Sequence, residues 1–292
     1  MKGLSKVRIV TDSTADIPLE IREKLGIEMV SLKVSFGKDT YIDGVSLTPE
    51  EFYDKLVAAP ALPITSQPSP VDFQQKYESL ASEDGEKVEI ISIHLSSVMS
   101  GTYQSAVLAK AMIEDDGNDR ISVTVVDSMS ASYGIGVQVL AAAEAANAGK
   151  SKEEILELIE KARKECDIYF LVDTLDYLHK GGRLGRASAM IGSLLNIKPI
   201  LTIDNDGYVA PIDKVRGQKK AMARIVELMK ERGSSKAIHI KLAHVRNPEG
   251  AETLKQMIAA EYDIVSCMDW TIGAVIGTYT GPGIVAVFIS PA

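Results

Sequence analysis

The sequence predicts an α/β protein in two parts: an N-terminal doubly wound domain on a parallel sheet, and a C-terminal α+β domain on a mixed sheet. Three observations predict it. In the first half, near-continuous apolar runs alternate with helical patterns, as expected of parallel strands covered on both faces. In the second half the alternation becomes irregular and includes Asn205-Asp206-Gly207, a hairpin signal because Asp-Gly suits turns that need positive φ. The chain has 292 residues, more than the roughly 100–200 usual for one domain. The boundary is placed so that the domains are 1–165 and 166–292.

Taken in order, the predicted strands of the first half are 7–11, 27–34, 88–95 and 121–126. Helical patterns cover 18–25, 49–57, 71–80, 103–113, 130–147 and 152–164, and proline opens two of them at Pro18 and Pro49, where its missing N–H costs nothing. Asn147–Ser151 reads as a stop between two helices. In the second half the strands are 168–172, 198–203, 209–212, 237–244, 264–268 and 284–289, with helices at 218–232 and 248–260.

Composition narrows the function. A formal net charge of −8 argues against nucleic acid or an anionic membrane as main partner, since each requires a basic face. The N-terminus carries no apolar signal segment before its first strand, so a cytoplasmic location is expected. Cys166 and Cys267 have no metal or redox spacing and read as two buried thiols. Residues 270–292 are uncharged, but the run from Gly277 to Gly283 reads as a loop between two buried elements, so no stable membrane insertion is expected.

Three predicted strands end in hydroxyl-rich loops: Thr11-Asp12-Ser13-Thr14, Leu95-Ser96-Ser97 through Ser100-Gly101-Thr102, and Asp127-Ser128-Met129-Ser130-Ala131-Ser132. In an open parallel sheet, ligands sit beyond the carboxyl ends of the strands, where helix N-termini favour an anion. Each hydroxyl taken singly reads as a helix cap, whereas three such loops on one edge read as a site. A fourth polar loop, from Pro63 to Pro70, is stiffened by prolines and can present Thr65 or Ser66 at a fixed point. The segment from His179 to Arg186 is rich in glycine and arginine, yet has neither the Walker spacing nor a dinucleotide fingerprint; no cofactor is expected. Between Lys180 and Arg224 there are nine basic and three acidic residues, a local basic face.

Catalytic signatures are missing. There is no Gly-x-Ser-x-Gly elbow, and the four histidines have no metal-ligand spacing. His94 with Ser100 is the one pairing that could act as base and nucleophile. Asp12 and Asp127 end strands and read as loop caps sooner than as metal ligands. An autonomous hydrolase or phosphotransferase using Ser100 and these aspartates is the competing reading.

Six segments together carry a resemblance: VTDSTADIP (10–18), TSQPSP (65–70), HLSSVMSGTYQSA (94–106), VVDS (125–128), YLHKGGRLGR (177–186) and TGPG (280–283). In this order they resemble the DegV family of bacterial fatty-acid-binding proteins. The resemblance implies a long-chain fatty acid such as palmitate, its chain buried in a tunnel of the second domain and its carboxylate held by Thr65 and Ser100. It implies a non-catalytic protein, which in some members presents the acid to a separate ATP-binding kinase subunit for acyl-phosphate formation. Arg183 and Arg216 would then face that partner or the new phosphate. Relatives often have histidine just before the last Thr-Gly element. Here Tyr279 stands there, a further head-group contact that can donate a hydrogen bond but cannot supply charge. Candidates for the tunnel wall are Met190, Ile191, Leu194, Leu195, Ile200, Ile272, Val275 and Ile276.

Overall fold

The structure is a computed structural model and describes residues 6–81, 87–190 and 197–292. The chain opens with β1 (Lys6–Asp12), a 3-10 turn over Ser13–Ala15, α1 (Leu19–Leu25) and β2 (Ile27–Val30). Next come β3 (Lys33–Phe36), β4 (Asp39–Ile42), α2 (Pro49–Ala58), β5 (Ile64–Ser66) and α3 (Pro70–Ser79). The first half closes with β6 (Val88–His94), α4 (Thr102–Asp115), β7 (Ile121–Asp127), α5 (Tyr133–Asn147) and α6 (Lys152–Glu165).

Strands β2-β1-β6-β7 form a four-stranded sheet in which every neighbouring pair is parallel. It is doubly wound. One face packs Val10, Ile90 and Val123 against Phe73 and Tyr77 of α3 and Ala106, Ala109 and Ile113 of α4. The other packs Ile9, Ile91 and Ile93 against Ile135, Val139 and Ala142 of α5. Reciprocal capping boxes at Thr48/Glu51, Ser69/Asp72 and Ser151/Glu154 start α2, α3 and α6.

The second half contains β8 (Asp167–Leu171), α7 (Asp176–Lys180), a 3-10 segment over Gly185–Met190, β9 (Ile197–Ile203) and β10 (Val209–Arg216). It continues with α8 (Gln218–Arg232), β11 (Ala237–His244), α9 (Pro248–Ala259), β12 (Asp263–Trp270), α10 (Ala274–Thr280) and β13 (Val285–Pro291). The six strands order as β10-β9-β8-β13-β11-β12, antiparallel except for β11 with β12, so the sheet is mixed. The predicted hairpin joins β9 to β10, with Gly207 at φ 82°. Helices α8 and α9 cover the outer face through Ile225, Met229, Leu254 and Ile258. The inner face turns toward the first half, and Ile168, Phe170, Ala286 and Phe288 join its core.

Four expectations need correction. The predicted strand 27–34 is two strands: β2 pairs with β1, whereas β3 leaves that sheet to form a separate antiparallel sheet, β4-β3-β5. The break falls where the Leu32 amide donates to Ser13 Oγ and its carbonyl accepts from Asp43, a redirection that two adjoining apolar runs conceal. The proline-rich segment, read as a loop, holds β5. Gly277 to Thr280 are helical, not loop: Gly277 faces Phe52 and Tyr53, where a Cβ would collide, and this close packing explains the glycine. Cys267 is exposed because β12 is an edge strand; Cys166 has its thiol pushed up to about 12 by burial. Among the described residues, no helix is long and apolar enough to cross a membrane.

Candidate functional site

Most hydroxyls of the strand-end loops are used inside the protein. Thr11 Oγ1 donates to the Ile93 carbonyl, Ser96 Oγ to the Gly207 carbonyl, and Ser132 Oγ to Asp16 at 2.6 Å. Asp12 accepts from the Thr14 and Leu95 amides, and Asp127 from those of Ser97 and Met129. Both aspartates therefore hold loops, and no group of three or more metal-ligating side chains gathers among the described residues.

His94 is not paired with Ser100. It is fully buried between Asp12 (Nδ1 to Oδ2, 3.0 Å) and Ser92 (Nε2 to Oγ, 2.6 Å), and Ser92 accepts from Tyr77 Oη. The connectivity is that of a serine-histidine-aspartate triad. Asp12, Ser92 and His94 are each 0% exposed, so no substrate reaches the serine, and the network ties the ends of β1 and β6 together at the point where strand order reverses.

An apolar cavity lies between the inner face of the six-stranded sheet and the strand-end loops of the first half. Ile168, Phe170, Ile203, Val209, Ala286 and Phe288 supply its sheet side. Ile272, Val275, Ile276, Tyr279 and Thr280, in and before α10, supply a second wall. Leu95, Met99, Ala131 and Ser132 come from the loops after β6 and β7. Of the predicted wall residues, Ile272, Val275 and Ile276 line it. Met190 is buried in the surrounding core, and Ile191, Leu194 and Leu195 lie outside the described residues. Ile200 is a correction: it packs in the outer core under α8, because strand residues alternate and its neighbour Leu201 takes the inner face.

The polar groups gather at one edge of the cavity. Thr65 on β5 and Tyr279 on α10 share a hydrogen bond of 2.5 Å between Oγ1 and Oη. Arg183 lies over the Tyr279 ring, 5.1 Å from its centroid, and donates from Nε to the Met99 carbonyl. Ser100 follows Met99, and its Oγ bonds only within its own turn, to Thr102. Gly101 lies so close to the Gln67 side chain that a Cβ would collide with it, which brings the Thr65–Gln67 and Ser100–Thr102 segments together. Thr65, Tyr279, Arg183 and Ser100 thus belong to one cluster, although only Tyr279 and Arg183 line the cavity itself. Arg216 is not in it: it is exposed at the far end of β10, opposite Ile197. The basic face is also smaller than its composition suggests, since Arg186 is bound to Asp204 and Asp206, and Arg224 to Asp213, Glu227 and Glu231.

Behind α10 lie two carboxyl groups. Asp16 Oδ1 accepts from the Gly273 amide at 3.0 Å, and Asp43 Oδ1 from the Ala274 amide at 3.2 Å. Burial, reinforced by their mutual repulsion and that of Asp12, drives Asp16 well above the usual carboxylate range; burial lifts Asp43 to about 6. These two groups fix the start of the helix whose last turn presents Tyr279. Sequence reading missed this pair, since Asp43 stands in an otherwise unremarked turn; the missed cavity residues Ala286 and Phe288 sit in a strand apolar on both faces, where alternation carries no information.

The molecule is thus a two-part α/β scaffold with an apolar chamber between its parts and hydroxyl, phenol and guanidinium groups at one edge. The chain belongs to the DegV family: that family's model, described as an uncharacterised protein, matches residues 6–292. Protein DegV of Bacillus subtilis is 40% identical over 281 residues, covering 95% of this chain and 96% of that one. Among solved structures, a DegV family protein from Thermus thermophilus, described for its fatty acid binding, superposes with TM-score 0.88 at 35% identity, covering 98% of this chain and all of its own. The Bacillus subtilis DegV structure, described as a fatty acid binding protein, gives 0.84 at 37% identity, covering 99% of this chain and 100% of that one.

Proposed function

We propose that this chain binds a long-chain fatty acid, with the acyl chain in the apolar cavity and the carboxylate at the Thr65–Ser100–Tyr279 edge. The observation that carries this is the joining of an almost wholly apolar chamber to a single polar edge. Burying each methylene contributes about 0.8 kcal/mol, so a long chain gains about 10 kcal/mol before entropic costs. The head group then needs hydrogen bonds, because a carboxylate leaving water without partners loses several kcal/mol. Thr65 and Ser100 donate hydroxyls, Tyr279 a phenol, and Arg183 places charge nearby. Related DegV proteins of known structure are described as fatty-acid-binding, which supports the same ligand here.

In this reading residues 1–165 form the domain that carries the head-group loops, and 166–292 the domain that supplies most of the acyl wall. The protein acts in the cytoplasm as a non-catalytic carrier and presents the acid to a separate ATP-binding kinase subunit. The exposure of Arg183 and Arg216 supports a role in facing that subunit. Delipidated protein titrated with a fluorescent fatty acid tests the binding half: saturable uptake, displaced by unlabelled palmitate, is expected, and no uptake refutes it. Acyl-phosphate formation by an ATP-binding subunit only when this protein is added tests the other half.

A further inference from the structure

The acyl cavity has a neighbour. A polar groove flanks the sheet where α6 and α8 approach it, with Arg163, Lys164, Asp167 and Arg232 in its lining. Among the described residues, only Ile168 and Ile203 line both the cavity and the groove. Register brings these two together. Phe170 lies opposite Leu201 on antiparallel strands, so two residues further along each strand Ile203 lies opposite Ile168 on the same face. Phe288 is the partner of Ile168 on its other side.

Along β13 the cavity face leads from the α10 end, where Tyr279 stands, to Phe288 and its partner Ile168. Tyr279 lies in the last turn of α10, a short loop follows, and Ile284 just before β13, with Ala286 and Phe288 in it, then carry the cavity face over roughly 13 Å. Ile168 and Ile203 sit at the Phe288 end of that path.

We propose that Ile168 and Ile203 form the end wall of the acyl cavity and set the longest chain it accepts. This rests on the fatty-acid reading above. A chain that stops at the wall buries every methylene. A longer one must displace an isoleucine or put its last carbons among the charged groups of the groove. Each methylene so misplaced costs about fourfold in affinity.

The test is a titration of delipidated protein with saturated acids from lauric to arachidic, lengthened by two carbons at each step. The unmodified protein gives an optimum length beyond which affinity falls. Ile168→Ala and Ile203→Ala move the optimum at least one step longer and raise affinity for the next acid about fifteenfold, the value of two recovered methylenes. Ile203→Phe, which fills space and does not leave a hole, moves it shorter, and thermal melting establishes that each variant is folded. An optimum that stays fixed in Ile203→Phe and in the folded alanine variants overturns the proposal while leaving fatty-acid binding intact. Failure of the unmodified protein to bind any of the acids overturns both.

Discussion

Thr65 and Tyr279 are 214 residues apart in the chain and share a hydrogen bond of 2.5 Å. One sits on the small antiparallel sheet and the other on the last turn of α10, so the bond closes the edge of the cavity where the two parts of the protein meet. Neither hydroxyl has its place fixed by local sequence: Thr65 is held by pairing with Val34 across β3 and β5, and Tyr279 by packing against Gly181.

Thr65→Val keeps the shape of the side chain and removes its donor. A hydrogen bond to a charged group contributes about 1.5–3 kcal/mol, so palmitate affinity is expected to fall at least tenfold. Methyl palmitate, which has no carboxylate, loses far less. Titration of both ligands checks this, and equal losses contradict the assigned head-group role.

Tyr279→Phe retains the ring beneath Arg183 and the contact with Gly181, and loses only the phenol. Affinity for the acid is expected to drop by about 1.5–3 kcal/mol with no change in melting temperature beyond a few degrees. A collapse in stability would instead mark Tyr279 as a packing residue.

Asp43 gives a pH signature. Its carboxyl is raised to about 6, chiefly by burial, so the folded state holds the proton more tightly than the unfolded chain does. The resulting stabilisation is complete below the ordinary carboxylate range and is lost as pH rises through 6. Asp43→Asn keeps an acceptor for the Ala274 amide and abolishes the titration. Relative to the parent, the variant should gain up to about 3 kcal/mol in unfolding free energy between about pH 4 and pH 8. Urea denaturation at the two pH values measures it, and a constant difference contradicts it. Asp16, raised in the same direction partly by the charge of Asp43, loses that contribution in the variant, which adds to the difference in the same sense.

His94→Ala breaks the buried Asp12–His94–Ser92 network. Removing His94 leaves the buried Asp12 and Ser92 side chains each short of a hydrogen-bond partner, at about 1–3 kcal/mol apiece, and denaturation should register a loss of several kcal/mol. Fatty-acid affinity, measured while the variant is folded, should stay within a few fold. A large affinity loss at unchanged stability would mean that the network acts on the ligand.

Much of the fold was legible in the sequence because β1, β6 and β7 are near-continuous apolar runs and the β9–β10 hairpin turns at Gly207. The three-stranded sheet was not, since β5 is three residues long and lies among prolines. At the site, Thr65, Ser100 and Tyr279 were reached through matched motifs, and geometry alone joined Thr65 to Tyr279. His94 was visible but its partner was not, because a contact with Asp12 across neighbouring parallel strands leaves no local pattern. The cavity wall was half legible: α10 contributes a recognisable apolar run, whereas Ile168 and Phe288 belong to strands buried on both faces.

The most direct test of the central claim is to denature the purified protein and analyse the released lipid by mass spectrometry, before and after incubation with a mixture of long-chain fatty acids. One fatty acid per protein chain, retained through purification or taken up on incubation and reduced by Thr65→Val with Ser100→Ala, is the expected result. Protein that carries no fatty acid and takes none up would contradict it.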